Sequence, residues 1–269
     1  MDLISIIGQN RLYNFHSHTQ FCDGRATMAE FAAEAVKRGF THYGFSPHSP
    51  IPIESPCNMA FDQVQLYLDE VTRLKSLYIG RTNFYAAMEI DYLGKEWGPA
   101  NEYFQALPLD YRIGSVHFIP SQEGILVDID GRYESFRMKM EQFFHNDIRY
   151  VVDTFFDRSL DMVAEGHFDI IGHFDKIGHN ASHFSPGIED KTWYRKHISH
   201  LIEAIADSGI IAEINTKAWT DHHRMFPAPS HWQEVKRAGI PLIINSDAHQ
   251  PMLIDASRTE AFDKLAAIG

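Results

Sequence analysis

The sequence predicts an α/β barrel, a ring of parallel strands each followed by a helix, and three observations carry that prediction. Seven short apolar runs alternate with stretches of helical period along 269 residues, the order expected of repeated βα units. Most of these runs end in His, Asp or Glu: His16-Ser17-His18, Ser46-Pro47-His48, Met88-Glu89, Ser115-Val116-His117, Gly172-His173 and Ser246-Asp247-Ala248-His249. Barrels of this kind keep their reactive groups at the C-terminal ends of the strands, and side chains there converge only if the strands surround one axis. Finally, 44% apolar residues suffice for one large core, and no repeat or linker divides the chain, so residues 1–269 read as a single domain.

Each element has a local reason. Leu12 to Phe15 forms the first strand, and the i, i+2 spacing of His16 and His18 points both imidazoles to one side. The loop holding Asp23 leads into Thr27-x-x-Glu30, a capping box before a helix that Gly39 ends. His42 to Ser46 delivers His48, and the three prolines of Pro50–Pro56 enforce an irregular loop. Residues 60–79 carry apolar positions at helical period. Asn83 to Asp91 is the third strand, with Glu89, and Tyr111 to Ile119 the fourth, with His117. Two helices follow, one ending near Phe144 and one spanning about 147–165. Asp169 to His173 is the fifth strand, Ile210 to Thr216 the sixth, and Ile240 to Asn245 the seventh; residues 190–207 form the helix between the fifth and sixth. Ser230-x-x-Gln233 and Ser257-x-x-Glu260 read as caps of the last two helices.

Composition narrows the function. A formal net charge of −12 without a basic block disfavours nucleic acid and anionic membranes as partners. No apolar stretch approaches the ~20 residues of a membrane span, and the N-terminus lacks a signal-peptide pattern. The two cysteines, Cys22 and Cys57, sit in no disulfide-like spacing. The expectation is a soluble, cytoplasmic protein acting on a small molecule.

Taken together, His16-x-His18-Thr19, Asp23, His48, Glu89, Gly114-Ser115-Val116-His117-Phe118, Gly172-His173 and Ser246-Asp247-Ala248-His249 resemble the PHP (polymerase and histidinol phosphatase) superfamily over about residues 12–250. Gly114 to Phe118, Asp169 to His173 and the chain length look most like its histidinol-phosphate phosphatases. The resemblance implies a distorted (β/α)7, TIM-like barrel with three divalent ions. It places His16, His18, Glu89 and Asp247 on the first ion. Glu89 would bridge to a second held by His117 and His173, and Asp23, His48 and His249 would hold the third.

Six imidazoles and three carboxylates suit Zn, Mn or Fe better than Mg or Ca. Such a centre attracts a phosphate dianion and makes hydroxide available near neutral pH, so the expected reaction is in-line attack of a metal-bridging hydroxide on a phosphomonoester, histidinol phosphate by the resemblance. The alternatives are a PHP phosphoesterase for another small phosphomonoester or nucleotide, or a non-catalytic metal-binding domain. Asp247, His249 and His18 are the catalytic candidates. Lys176, Lys217 and Arg224 are the candidates for gripping substrate, with lysine standing where histidinol phosphatases commonly use arginine.

Overall fold

In a computed structural model, which describes residues 1–268, nine strands follow in chain order: β1 (Tyr13–Asn14), β2 (His42–Phe45), β3 (Asn83–Asp91), β4 (Tyr111–Ser115), β5 (Phe118–Pro120), β6 (Leu126–Asp128), β7 (Ile170–Ile171), β8 (Ile211–Asn215) and β9 (Leu242–Asn245). Seven of them make one sheet in the order β1-β2-β3-β4-β7-β8-β9, with every neighbouring pair parallel. The expected barrel is therefore present, nearly closed between its first and last strands.

That seam is unusual. A single parallel bridge, Ser17 to Ala248, joins the two edges as backbone ladder. Below it, asparagine side chains take over: Asn245 Oδ1 accepts the Phe15 N–H at 2.8 Å, and Asn14 Oδ1 accepts the Ser246 N–H at 2.9 Å. Both amides are fully buried, so each satisfies a backbone donor that the short β1 leaves without a strand partner.

Among the described residues there are eleven helices. They are α1 (Leu3–Gln9), α2 (Met28–Lys37), α3 (Val64–Leu77), α4 (Glu102–Ala106), α5 (Tyr133–Phe143), α6 (Ile148–Glu165), α7 (Ile177–Phe184), α8 (Thr192–Ser208), α9 (Trp219–His222), α10 (Trp232–Arg237) and α11 (Arg258–Ala267). In α2 both bonds of the Thr27/Glu30 capping box form, and Met28, Phe31, Ala32 and Ala35 bury one stripe at i, i+3, i+4, i+7. None of the described helices is long and apolar enough to cross a membrane.

The strands sort their side chains by alternation. Along β3, Ala86, Met88 and Ile90 pack with the helices, whereas Ala87 joins Phe15, Ile113, Ile170, Ile211 and Ile243 in a separate apolar cluster. Two residues beyond Ala87, Ile211 and Ile243 stand Glu89, Glu213 and Asn245, all buried. The barrel is thus apolar below and polar at the C-terminal strand ends.

Several expected details differ. The fourth strand stops at Ser115, and Phe118–Pro120 instead pairs antiparallel with Leu126–Asp128. The polar turn Ser121 to Gly124, tied by bonds to the Ser121 hydroxyl, makes that hairpin and carries His117 out of the strand. Ser230 lies in a 3-10 turn ahead of α10, and Ser257 takes a left-handed conformation with φ of 57°, so neither side chain caps. Helices α1, α4, α7 and α9 are additions. They are short, and α7 carries Gly178 and Asn180, which weaken its helical signature.

Candidate metal centre

Each expected donor sits on the rim that the strands build. His16 and His18 leave β1 on the same side, their Nε2 atoms 3.1 Å apart. His48 follows β2 and bridges to Glu89 of β3, His117 and His173 each lie two residues beyond their strands, and Asp247 and His249 follow β9. Asp23 comes from the loop after β1. Gly24 beside it lies so close to the His18 carbonyl that an added Cβ would stand 2.2 Å from the oxygen, which presses the loop against the His18 backbone and delivers Asp23.

The donors fall into three groups. His16 Nε2 lies 3.3 Å from Glu89 Oε2 and 3.9 Å from Asp247 Oδ1; His18 Nε2 lies 3.4 and 3.1 Å from the same two atoms. Tetrahedral ligands at about 2.0–2.1 Å from a zinc ion stand roughly 3.3 Å apart; His16, His18 and Asp247 form one group close to that spacing, and Glu89 also groups with His48 and His117. The other Glu89 oxygen is 2.8 Å from His173 Nε2 and 3.5 Å from His117 Nε2, and those two nitrogens are 3.4 Å apart. Asp23 completes the set, with Oδ2 3.3 Å from His249 Nε2 and Oδ1 3.9 Å from His48 Nε2. His48 also sets Nδ1 3.1 Å from Glu89 Oε2, so it stands between two groups.

The fit to cations rests on more than spacing. Asp23 Oδ1 and His48 Nδ1 are buried without a hydrogen-bond partner, which costs free energy unless a cation completes them. Burial works against the charge of Glu89, yet the surrounding imidazoles of His16, His117 and His48 hold its carboxyl well below the usual range. For Asp247 burial is likewise overcome, by Lys217, His16 and His18. Burial, with His249 and His48 adding to it, keeps His18 well below its ordinary value, and His48 and His173 shift down from burial foremost. At His16 and His117 burial is outweighed by carboxylates, raising both, His117 to about 9; these sites attract positive charge, proton or metal. His173 and Asp247 also hold positive φ, 22° and 48°, backbone strain of the kind that collects at functional sites.

Two carboxylates absent from the expected set stand directly behind ligands. Asp91 Oδ1 is 2.7 Å from His117 Nδ1, and Glu213 Oε1 is 2.7 Å from His16 Nδ1. The only trace of Glu213 in the sequence was a carboxylate inside an apolar strand, with no histidine near it to suggest a pair.

The three cations expected to grip substrate part company. Lys217 Nζ stays at the centre, 3.4 Å from Asp247 Oδ1 and 3.2 Å from His249 Nε2, with its side chain partly exposed. Lys176 Nζ is paired with Asp130 Oδ2 at 2.6 Å. Arg224 is turned to structural use: its two terminal nitrogens bind Glu189 at 2.9 Å each, and one also reaches Asp175 Oδ2 at 3.1 Å. With both carboxylates already neutralising it, Arg224 has no free fork for a phosphate.

The fold and this cluster define a class, a barrel that gathers His, Asp and Glu for divalent ions. The PHP domain model matches residues 14–217, and the chain belongs to that family. A "Probable histidinol-phosphatase" of Deinococcus radiodurans is 25% identical over 267 residues, covering 96% of this chain and 94% of the relative, and the "Histidinol-phosphatase" of Bacillus subtilis is 26% identical, covering 87% and 92%. Among solved structures, one assigned to the histidinol phosphatase HisK of Listeria monocytogenes superposes with a TM-score of 0.82 at 18% identity, covering 92% of this chain and 99% of its own. The histidinol phosphate phosphatase of Lactococcus lactis, solved with zinc, L-histidinol and phosphate, gives 0.70 at 17% identity, covering 96% and 93%.

Proposed function

We propose that this chain is a metal-dependent phosphomonoesterase that releases phosphate from L-histidinol phosphate, using three divalent ions of the zinc, manganese or iron type. The observation that carries the reading is the convergence of His16, His18, Glu89 and Asp247, with gaps of 3.1–3.9 Å between the two imidazoles and the two carboxylates. Relatives of nearly the same length that bear the histidinol-phosphatase name supply the substrate.

His16, His18, Glu89 and Asp247 would hold the first ion, Glu89, His117 and His173 the second, and Asp23, His48 and His249 the third. Bound there, the ions supply Lewis-acid charge and water acidified enough to attack phosphorus. The chain does the rest. Glu89 offers one oxygen to each of two groups and so fixes their separation. Lys217 projects an ammonium beside Asp247 and His249, where it meets a phosphoryl oxygen as a point charge. Asp247, His249 and His18 adjoin that position and are the candidates for relaying a proton from bound water to the departing alkoxide. Asp91 and Glu213 add negative charge behind the ligands, so the loaded centre is less positive than its three ligand carboxylates alone would leave it.

The test is direct. Metal content of the purified chain is measured, and phosphate release from histidinol phosphate is followed beside a panel of sugar phosphates and nucleotides. A hundredfold preference in kcat/KM, about 2.7 kcal/mol of transition-state discrimination, establishes the assignment. Slow, uniform turnover of every ester refutes the substrate, and a metal-loaded but inert chain refutes the phosphatase.

A further inference from the structure

Glu213 is fully buried and touches four donors. Its Oε1 receives the Asn245 side-chain amide at 3.0 Å and faces His16 Nδ1 at 2.7 Å; its Oε2 receives the His173 backbone N–H and the Asn215 amide, both at 3.1 Å. The orientation of each asparagine is fixed from its other end. Asn245 Oδ1 accepts the Phe15 N–H, and Asn215 Oδ1 accepts the Lys217 N–H at 3.1 Å, so both NH2 groups must point at Glu213. Three fixed donors, the two amides and the His173 N–H, converge on one carboxyl group, which is the setting of a carboxylate. A carboxylate only accepts, so the contact with His16 is a donation from Nδ1–H.

We propose that Glu213 is the positioning residue of the metal centre: it commits His16 to the Nδ1–H form, leaving Nε2 to bind, and ties that ligand to others around it. The ties are explicit. The Asn215 amide spans Glu213 Oε2 and Asp247 Oδ2, the latter also at 3.1 Å, and the His173 N–H sits on the same Glu213 oxygen. Through Glu213, two ligands of one ion and the backbone of a ligand to its neighbour share one rigid network. A carboxylate behind a metal-binding imidazole fixes its orientation and raises its basicity, and losing such a partner typically weakens metal affinity about 10–100-fold. Asp91 backs His117 by the same contact but reaches no other ligand by a hydrogen bond, so the joining role falls to Glu213.

The inference rests on the metal-centre reading, and its test separates the two. In Glu213→Gln an NH2 replaces one oxygen and must face a donor on whichever side it turns. Zinc loading is followed by chelator competition, with circular dichroism as the check on folding. In parallel, ring nitrogens of 15N-histidine are observed in the zinc-loaded wild type, with His16 assigned by its loss in His16→Gln. The expected result is an Nδ1-protonated, Nε2-bound His16 in the wild type, and a folded Glu213→Gln chain in which at least one zinc ion binds tenfold or more weakly. A wild type whose His16 binds through Nδ1 overturns the inference without any variant at 213, so a Glu213→Gln chain that fails to fold does not shelter it. A folded variant that keeps every zinc ion at wild-type affinity overturns it too. A wild type that binds no zinc refutes the metal centre itself, a separate and recognisable result.

Discussion

Lys176 Nζ lies 2.6 Å from Asp130 Oδ2, joining the segment after β6 to the start of α7, three residues after the candidate ligand His173. Burial opposes the charge of both groups, yet each holds the other ionised, Asp130 far below and Lys176 above its ordinary value. An ammonium has three donors and Asp130 uses one, so Lys176 keeps two for another acceptor. Lys176→Met is expected to lower kcat/KM for a phosphomonoester about 10–100-fold, the loss of one charged hydrogen bond of about 1.5–3 kcal/mol. Asp130→Asn should act in the same direction more weakly, and the double variant should cost less than the two effects combined, because both remove one interaction. Steady-state kinetics on the four proteins of the cycle decide this; strict additivity would mean the pair does not serve the substrate.

Lys217 is the freer cation, and its partners are candidate ligands rather than a dedicated counter-ion. Lys217→Met should raise KM about tenfold or more, the low end of a charged contact, while leaving metal content at the wild-type level. Elemental analysis beside the kinetics separates the outcomes, since loss of metal would make Lys217 a support of the centre.

Removing the ions should abolish turnover and restoring them should return it. Chelation followed by dialysis is expected to cut the rate by at least about 10³, given the several kcal/mol that metal ions contribute to the transition state. Glu89→Gln should do the same without chelator, because its carboxylate reaches His16, His18, His48, His117 and His173. Full activity after exhaustive chelation would end the metal-dependent reading.

Arg224→Met should unfold more easily without a specific effect on KM. It would leave Asp175, wholly buried, and Glu189 without their counter-ion, a loss of about 3–5 kcal/mol for a buried pair. In a chain of this size that is on the order of 10 °C in melting temperature, read by thermal denaturation of both proteins at equal metal loading.

How much of this was legible in the sequence follows from what periodicity records. Ligands that end apolar runs, such as His18, Glu89 and Asp247, announce both the strand and its direction, because alternation fixes which side they face. His117 is legible although its apolar run extends past the strand's end at Ser115, since two residues beyond a strand end still reach the axis. Nothing in the sequence marks Asp91 and Glu213 as partners of the ligand histidines, for that purpose depends on residues 26 and 197 positions away. Arg224 reads as a substrate cation because it follows a strand end, and that position says nothing of the partners, Glu189 and Asp175, that folding brings to it. The asparagines of the seam were equally silent, as their amides replace a backbone ladder that sequence patterning presumes.

That asparagine-stitched seam has a consequence for how the molecule comes apart. His16 and His18 lie on one lip of it and Asp247 and His249 on the other, so any cation shared between them acts as a rivet across the weakest joint of the cylinder. Stripping the rivets should let the two lips gape before the remaining staves separate, and amide exchange would report this first at Phe15, His18 and Ser246, the N–H groups that span the joint.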